Sequence, residues 1–110
     1  MHHREERVAQ EIKELVSEII LKDVRSKIEF FSIPYVKVTA DLSVAKIYVS
    51  FFTSKATEEF AKIVAAKGFI RTQLAKKIRL RKVPEIEFIL DHSLQEGNAM
   101  LNKIKDLNVE

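Results

Sequence analysis

The stretch from Phe60 to Pro84 contains no Asp or Glu and is the most cationic part of the chain. Its basic residues are Lys62, Lys67, Arg71, Lys76, Lys77, Arg79, Arg81 and Lys82. The formal charge is +8 within this stretch and −5 in the rest, which together give the net +3 of the chain. A cationic segment in an otherwise acidic domain is typical of a surface that binds a polyanion. The alternative is a solvated basic face that serves solubility only.

Apolar residues in the second half of this stretch recur every four positions, at Ile70, Leu74 and Ile78. This spacing predicts a helix with one apolar face. The opposite side of that helix would carry polar and cationic residues, namely Arg71, Thr72, Lys76 and Arg79. The pattern therefore predicts a helix that presents its charges to a partner.

Ala66-Lys67-Gly68 lies in the middle of the basic stretch and contains one of the two glycines of the chain. Glycine inside a helix costs about 1 kcal/mol relative to alanine, so we predict that Gly68 breaks the helix. Lys67 and the turn that ends near Arg71 would then face the polyanion. Small residues let a nucleic-acid backbone approach, and the N-terminus of a following helix favours phosphate. The alternative is an ordinary helix that ends at glycine.

Length and composition predict one domain over residues 1–110. The chain is 46% hydrophobic and 32% charged, which is typical of a soluble globular protein. It has no cysteine, which excludes disulfides, thiolate metal sites and cysteine nucleophiles. No apolar run approaches the roughly 18 residues that span a bilayer, and the N-terminus shows no signal-peptide pattern. We therefore expect a cytoplasmic protein with no membrane, metal or cofactor.

Hydrophobic periodicity and turn residues predict the other elements. In chain order these are a helix over 4–21, strands over 33–39 and 44–52, a helix from 53 to the kink, a helix to about 80, a strand over 85–90 and a helix over 94–107. Residues 1–3 are expected to be disordered and 22–31 to form a loop. The first two strands are expected to form an antiparallel hairpin. In the helix that follows, Ser54 or Thr57 would be the N-cap, and Phe60, Ile63 and Val64 the inward face.

This order, α-β-β-α-kink-α-β-α, predicts an α+β domain with a three-stranded sheet and helices packed on one face. It is similar to the type II KH fold. The sequence resembles one family within that fold, ribosome-binding factor A. The matching segments are Arg7-Val8-Ala9, Asp41-Leu42-Ser43, 45–50, Gly68-Phe69-Ile70-Arg71, Leu74, 79–88, Asp91 and Ser93. Together these segments cover nearly the whole chain.

The resemblance implies properties that periodicity cannot give. KH domains usually clamp nucleic acid with a GXXG loop, and this family has an Ala-x-Gly kink instead, matched here by Ala66-Lys67-Gly68. Its members bind the free small (30S) ribosomal subunit near the neck, contact 16S rRNA and assist late maturation, including processing of the rRNA 5′ end. They are linked to growth in the cold and are not enzymes. We predict a monomeric RNA-binding protein whose contact residues come from the basic stretch and its kink: Lys67, Gly68, Arg71, Lys76, Lys77, Arg79, Arg81 and Lys82.

Catalysis has one candidate motif, Asp91-His92-Ser93. Adjacent positions cannot align as orienting acid, base and nucleophile, so the motif predicts a strand-to-helix turn rather than a triad. Two non-catalytic alternatives remain open. One is a generic single-stranded RNA-binding KH module, and the other is an interaction module for an acidic protein or an anionic membrane surface.

Aromatic residues cluster in the sequence before and inside the first strand, at Phe30, Phe31 and Tyr35. Such residues can stack on unpaired bases. Packing in the core, or over the edge of the sheet as a lid, is the alternative that we favour, because aromatic side chains bury a large apolar area.

Overall fold

The computed structural model of the chain describes residues 4–24, 27–28 and 30–91. Its elements are α1 (Arg4–Lys22), β1 (Phe31–Val38), β2 (Val44–Phe51), α2 (Ala56–Ala65), α3 (Lys67–Lys77) and β3 (Glu85–Leu90). The predicted types and order of these elements are confirmed. The predicted helix over 94–107 and residues 1–3 lie outside the described residues.

The three strands form one sheet in the order β1-β2-β3. Strands β1 and β2 pair antiparallel, which confirms the predicted hairpin. Strands β2 and β3 pair parallel, with Ala45 opposite Ile86 and Ile47 opposite Phe88. A parallel pair needs a long crossover connection, and here α2 and α3 supply it. The cationic stretch is thus the crossover of the fold.

A β-bulge in β1 changes which residues face the helices. Ser32 is opposite Ser50 and Tyr35 is opposite Tyr48, so Ile33 and Pro34 together oppose Val49. The extra residue reverses the alternation of side chains along the strand. Proline is tolerated here because β1 is an edge strand and the bulge needs no ladder hydrogen bond from it. The bulge therefore turns Tyr35 to the face opposite Ile33.

The core lies on one face of the sheet, where the helices pack. Strand β2 contributes every second residue to it, namely Ala45, Ile47, Val49 and Phe51. Helix α1 contributes Val8, Ile12, Val16, Ile19 and Ile20. Each large aliphatic side chain that is fully buried adds about 1.5–3 kcal/mol of hydrophobic stabilisation. The prediction of helices on one face is confirmed, and this packing fixes the crossover helices rigidly against the sheet.

Helix α2 differs from the prediction at its start and on one face. It begins at Ala56, and no side chain caps it. The hydroxyl oxygen of Thr53 instead accepts the N–H of Lys55 at 3.2 Å, a local turn that competes with helix entry. The N-cap prediction of Ser54 or Thr57 is therefore wrong. So is the inward assignment of Val64, which is 45% exposed, because it lies 100° around the helix from the fully buried Ile63.

Helix α3 ends earlier than predicted, at Lys77 rather than near Leu80. The backbone of Ile78 is extended (φ −92°, ψ 142°), while its N–H still donates to the Leu74 carbonyl. This conformation leaves the side chain of Ile78 buried with Ile70 and Leu74. The predicted apolar face is confirmed, and residues from Arg79 to Pro84 form the connection to β3, with bends at Arg81 and Lys82.

Candidate nucleic-acid interface

The interruption between α2 and α3 is a single residue, Ala66, with φ −92° and ψ 7°. Its N–H donates to the carbonyls of Lys62 and Ile63, and its carbonyl accepts the N–H of Ile70 at 2.9 Å. The bend therefore falls within the predicted kink, but the expectation that Gly68 forms it is wrong. Any L-residue can adopt the conformation of Ala66, so this bend needs no glycine.

Gly68 is the second residue of α3, and no glycine in the described chain has a positive φ. A Cβ atom at Gly68 would meet nothing within 4 Å. Gly68, Thr72 and Ala75 are all exposed, and the Thr72 hydroxyl donates to the Gly68 carbonyl at 2.9 Å. The side chains on this exposed side of α3 are thus small. A sugar-phosphate backbone therefore has room to lie close to the helix.

The first turn of α3 has no side-chain cap and no acidic residue. Its first N–H groups and the positive end of the helix dipole favour an anion at this point. Lys67 is exposed there, and the neighbouring Phe69 is 43% exposed. The start of α3 therefore carries an exposed cation and a partly exposed aromatic ring beside a helix N-terminus without a side-chain cap.

Five predicted contact residues are exposed and make no hydrogen bond or ion pair with any residue that the structure describes: Lys67, Lys76, Arg79, Arg81 and Lys82. They extend from the start of α3 to the connection before β3. Cations without intramolecular partners keep their full charge for a partner molecule. We call these five residues the α3 basic surface.

Arg71 has a different environment from the α3 basic surface. Its Nε donates to the Pro84 carbonyl at 3.2 Å and its Nη2 to the Val83 carbonyl at 3.0 Å. The guanidinium also lies 3.8 Å from a carboxylate oxygen of Glu85. These contacts join α3 to the start of β3, so two of the five N–H donors of Arg71 are already used within the protein.

Lys77 is also engaged within the protein. Its Nζ lies 4.0 Å from a carboxylate oxygen of Asp23, just past the end of α1. The pKa of the nearby Glu18 is lowered, mainly by its hydrogen bond and charge contact with Lys22 and also by the charge of Lys77. Lys77 therefore links α3 to the acidic end of α1.

One cation of this region was missed by sequence reasoning. Arg4, the first residue of α1, lines a cavity of about 310 Å³ together with Arg81 and Lys82. The other lining residues are Asp41, Leu42, Ser43 and Leu80. Arg4 lies far from the basic stretch in the sequence, and only the packing of α1 against the sheet brings it there. A weak signal existed, because a cation in the first turn of a helix opposes the dipole.

The β1–β2 turn forms one wall of this cavity and is held by Asp41. Its Oδ1 accepts hydrogen bonds from the hydroxyls of Thr39 at 2.8 Å and Ser43 at 2.7 Å, and from the Ser43 N–H at 3.1 Å. These bonds, that of the Ser43 hydroxyl first, lower the pKa of Asp41. Leu42 has φ 61°, a left-handed conformation that the surrounding bonds maintain. The cavity wall is therefore rigid and carries one carboxylate opposite three cations.

The three aromatic residues of the predicted cluster lie in different environments. Phe31 is half-buried and packs against the core. Phe30 is 63% exposed with φ 56°. Tyr35 is 47% exposed and stacks on Tyr48, with ring centroids 4.3 Å apart. Core packing is confirmed for Phe31 alone.

The described residues contain no group of three His, Asp or Glu side chains placed to hold a metal ion. No helix among them is both long and apolar enough to cross a bilayer. Of the Asp91-His92-Ser93 motif, only Asp91 lies within the described chain, where its N–H donates to the Val49 carbonyl at 2.8 Å.

The order α-β-β-α-α-β, a three-stranded sheet with helices on one face and a basic crossover helix define an α+β domain of the type II KH-like class. The family model for Ribosome-binding factor A matches residues 4–104. The chain belongs to the ribosome-binding factor A family.

Similar proteins agree with this assignment. Ribosome-binding factor A of Dictyoglomus thermophilum is 42% identical, over all of this chain and 95% of that protein. The protein of the same name from Staphylococcus carnosus is 39% identical, over 96% of this chain and 94% of its own length. A solution structure from Thermotoga maritima, described as a putative ribosome binding factor A, has a TM-score of 0.67 at 35% identity, and covers 79% of this chain and 86% of that one.

Two Thermus thermophilus structures show the same fold at lower identity. The crystal structure of ribosome-binding factor A has a TM-score of 0.70 at 20% identity, and covers 80% of this chain and 97% of that one. A homology model of the same factor, fitted into a cryo-electron microscopy map of a 30S complex, has a TM-score of 0.65 at 21% identity. It covers 80% of this chain and 96% of that one.

Proposed function

We propose that this protein binds the free 30S ribosomal subunit through 16S rRNA and acts there as a non-catalytic assembly factor. Its relatives are named for ribosome binding, and the Thermus thermophilus factor is represented in a complex with 30S. The observation that carries the proposal is the α3 basic surface, whose five cations have no partner in the described chain. A folded domain that leaves five exposed cations of one short segment unpaired is suited to a polyanion.

Binding would follow from the geometry of the crossover. The uncapped start of α3 offers N–H groups and a partial positive charge to one phosphate. Arg79, Arg81 and Lys82 continue the same charge along the connection to β3. Arg4 adds a cation from α1 across the cavity, so that three cations converge where the turn provides a rigid wall. Each cation–phosphate contact releases a counterion, so affinity for the subunit should fall steeply with salt.

The Ala66 bend has a positioning role in this proposal. It directs α3 so that Ile70 and Leu74 enter the core while Gly68 and Thr72 remain exposed. In KH domains a GXXG loop occupies this place and clamps the nucleic-acid backbone. The open Gly68 side of α3 would serve the same purpose, since no side chain keeps the backbone away.

The finer function that we propose follows the family resemblance. The bound protein would assist late 30S maturation, including processing of the 16S rRNA 5′ end, and would support growth in the cold. It would act as a monomer in the cytoplasm. The alternative, an interaction module for an acidic protein or an anionic membrane, uses the same cations but needs no RNA.

The test is binding to purified free 30S subunits over a series of salt concentrations. The wild-type protein is compared with a triple variant, Lys76→Ala, Arg79→Ala and Lys82→Ala. The control replaces three exposed cations outside the surface, Arg7, Lys22 and Lys55, by alanine, and its urea unfolding is measured as well because Lys22 pairs with Glu18 at 3.1 Å. We expect the first variant to bind more weakly with a shallower salt slope, and the control to bind like the wild type.

Two results would contradict the proposal. Wild-type affinity in the α3 triple variant would remove this surface from the mechanism. Stronger binding to anionic vesicles than to 30S subunits would favour the membrane alternative. A parallel assay with whole ribosomes separates assembly from translation, since an assembly factor should prefer the free subunit.

A further inference from the structure

The face of the sheet opposite the helices carries a stacked pair of tyrosines. Tyr35 on β1 is directly opposite Tyr48 on β2, and the rings are 4.3 Å apart with an angle of 22° between their planes. Tyr35 is 47% exposed, and no described strand lies beyond β1 on that side. One side of the Tyr35 ring is therefore covered by Tyr48, while its outer side is open to a further planar group.

A pair of lysines lies one step along the same face. Lys37 is opposite Lys46 in the β1–β2 register, and both are exposed. Like charges directly opposite each other on a sheet destabilise it. Neither lysine makes a hydrogen bond or ion pair with any residue that the structure describes. The hairpin thus holds two adjacent cations beside two stacked aromatic rings.

The acidic residues near this face lie on β3 and just after it, at Asp91, whose charge adds to the effects of burial and of Tyr48 in raising the pKa of Tyr35. Glu85 and Glu87 are exposed on β3, and Glu87 is opposite Lys46 in the register. The side of β3 is therefore acidic, and the side of β1 is cationic. A polyanion on this face would lie along the hairpin and avoid β3.

We propose that the Tyr35–Tyr48 pair and the adjacent Lys37–Lys46 pair bind one unpaired nucleotide of single-stranded RNA. The base stacks on the outer side of the Tyr35 ring, and the flanking phosphates contact the two lysines. Stacking on an aromatic side chain tolerates any base because every base has a π-face. The site lies on the opposite face of the sheet from the helix that carries the α3 basic surface, so it adds a second point of contact.

This inference rests on the proposed function only in taking RNA as the partner. The role of the tyrosine–lysine site would be to bind a single-stranded segment of the rRNA while the α3 basic surface binds the RNA backbone elsewhere. Because the two surfaces share no residue, each can be removed by mutation without the other. A negative result for one surface therefore does not imply a negative result for the other.

The intrinsic tyrosine fluorescence of the protein can be used as the probe of binding. The chain contains two tyrosines and no tryptophan, so its tyrosine fluorescence reports on the stacked pair alone. The wild-type protein is titrated with an eight-nucleotide oligouridylate, with correction for absorption by the RNA. We expect saturable quenching. Tyr35→Leu should weaken oligonucleotide binding, measured by anisotropy of a labelled oligonucleotide, by about 5- to 100-fold.

Two matched variants separate stacking from structure. Tyr35→Phe keeps the ring and should bind like the wild type. Phe52→Leu removes an exposed aromatic ring outside the site and should also bind like the wild type, since Phe52 is 58% exposed beyond the end of β2. Unchanged affinity in a folded Tyr35→Leu protein would overturn the proposal, and so would the absence of quenching in the wild type.

A second variant keeps the test decisive if Tyr35→Leu does not fold. Lys37→Gln with Lys46→Gln leaves both rings in place and should reduce the salt slope of oligonucleotide binding by about 1.4, for two phosphate contacts on a single strand. An unchanged slope would overturn the lysine contacts and with them the proposal. Normal 30S binding without quenching would refute this inference alone, whereas quenching without 30S binding would refute the proposed function alone.

Discussion

Nη2 of the Arg71 guanidinium donates a hydrogen bond to the carbonyl oxygen of Val83 at 3.0 Å. Nε of the same side chain donates to the adjacent Pro84 carbonyl at 3.2 Å. Pro84 is buried and has no N–H, so its carbonyl is the one backbone group through which it can form a hydrogen bond. Arg71 therefore holds the end of the connection against α3 and fixes where β3 begins. Within the basic stretch, Arg71 therefore contributes first to the stability of the fold and only second to the binding of a partner.

Arg71→Ala is expected to destabilise the protein. Hydrogen bonds from a charged donor contribute about 1.5–3 kcal/mol, and the 40% exposure of this side chain lowers the expected loss to about 1–2 kcal/mol. Urea unfolding measures the change. Lys76→Ala serves as the control, because Lys76 has no partner in the described chain and should unfold like the wild type. Equal stability of the two variants would show that the Arg71 contacts contribute little.

Gly68→Ala is expected to stabilise the protein by about 0.5–1 kcal/mol. Gly68 has no positive φ and is exposed within α3, and a Cβ atom would meet nothing within 4 Å. Affinity for the 30S subunit should fall, because the added methyl group keeps the RNA backbone away from the helix. Unfolding and binding are measured on the same preparation. Loss of stability would contradict the helical placement of Gly68, and unchanged affinity would remove it from the interface.

Most of the fold could be predicted from local pattern. The spacing of Ile70, Leu74 and Ile78 predicted the buried side of α3, and all three are buried. The glycine predicts a bend at Gly68, whereas the bend lies at Ala66, which adopts it without strain. The bulge at Ile33 and Pro34 was not predicted, since it depends on the register with β2. Local propensity gives the elements, whereas register and bends depend on tertiary packing.

The site was less predictable than the fold. Counting cations located the basic stretch but could not show which of them the protein uses internally. Arg71 and Lys77 have partners within the chain, and those partners, such as Val83 and Asp23, come from other elements. Arg4 joins the cavity only through the packing of α1. Cations that look equivalent in the sequence thus have different roles in the structure: some pair within the protein, and others are exposed for a partner.

Arg4→Ala is expected to weaken 30S binding without loss of stability. Removing one phosphate contact should lower the salt slope by about 0.7–0.9. Stability should be unchanged or slightly higher, since a cation in the first turn of α1 opposes the helix dipole. Lys55→Ala, which removes an exposed cation far from the cavity lining, provides the control for net charge. A wild-type salt slope in the Arg4 variant would exclude the cavity from the interface.

The Asp41 turn should make stability depend on pH in a defined direction. Hydrogen bonds from Ser43 and Thr39 favour the charged carboxylate, so the pKa of Asp41 in the folded protein lies below its ordinary value of 3.8. The unfolded chain then binds more protons than the folded one in this range, and stability falls as the pH is lowered. The contribution should be fully present above pH 3.8 and lost as the pH falls through the lower, folded-state pKa.

Asp41→Asn removes this contribution while it keeps the shape of the side chain. The wild type should be more stable than the variant at pH 7, and the difference should shrink as the pH falls below 3.8. Urea unfolding at a series of pH values measures the difference, and NMR titration of the carboxyl group measures the pKa directly. Glu87→Gln, at an exposed carboxylate on β3, controls for the change in net charge. A stability difference between wild type and Asp41→Asn that stays constant down to pH 2 would show that the turn does not depend on the charge of Asp41. An Asp41 carboxyl group that titrates at or above 3.8 would show that its hydrogen bonds do not favour the carboxylate.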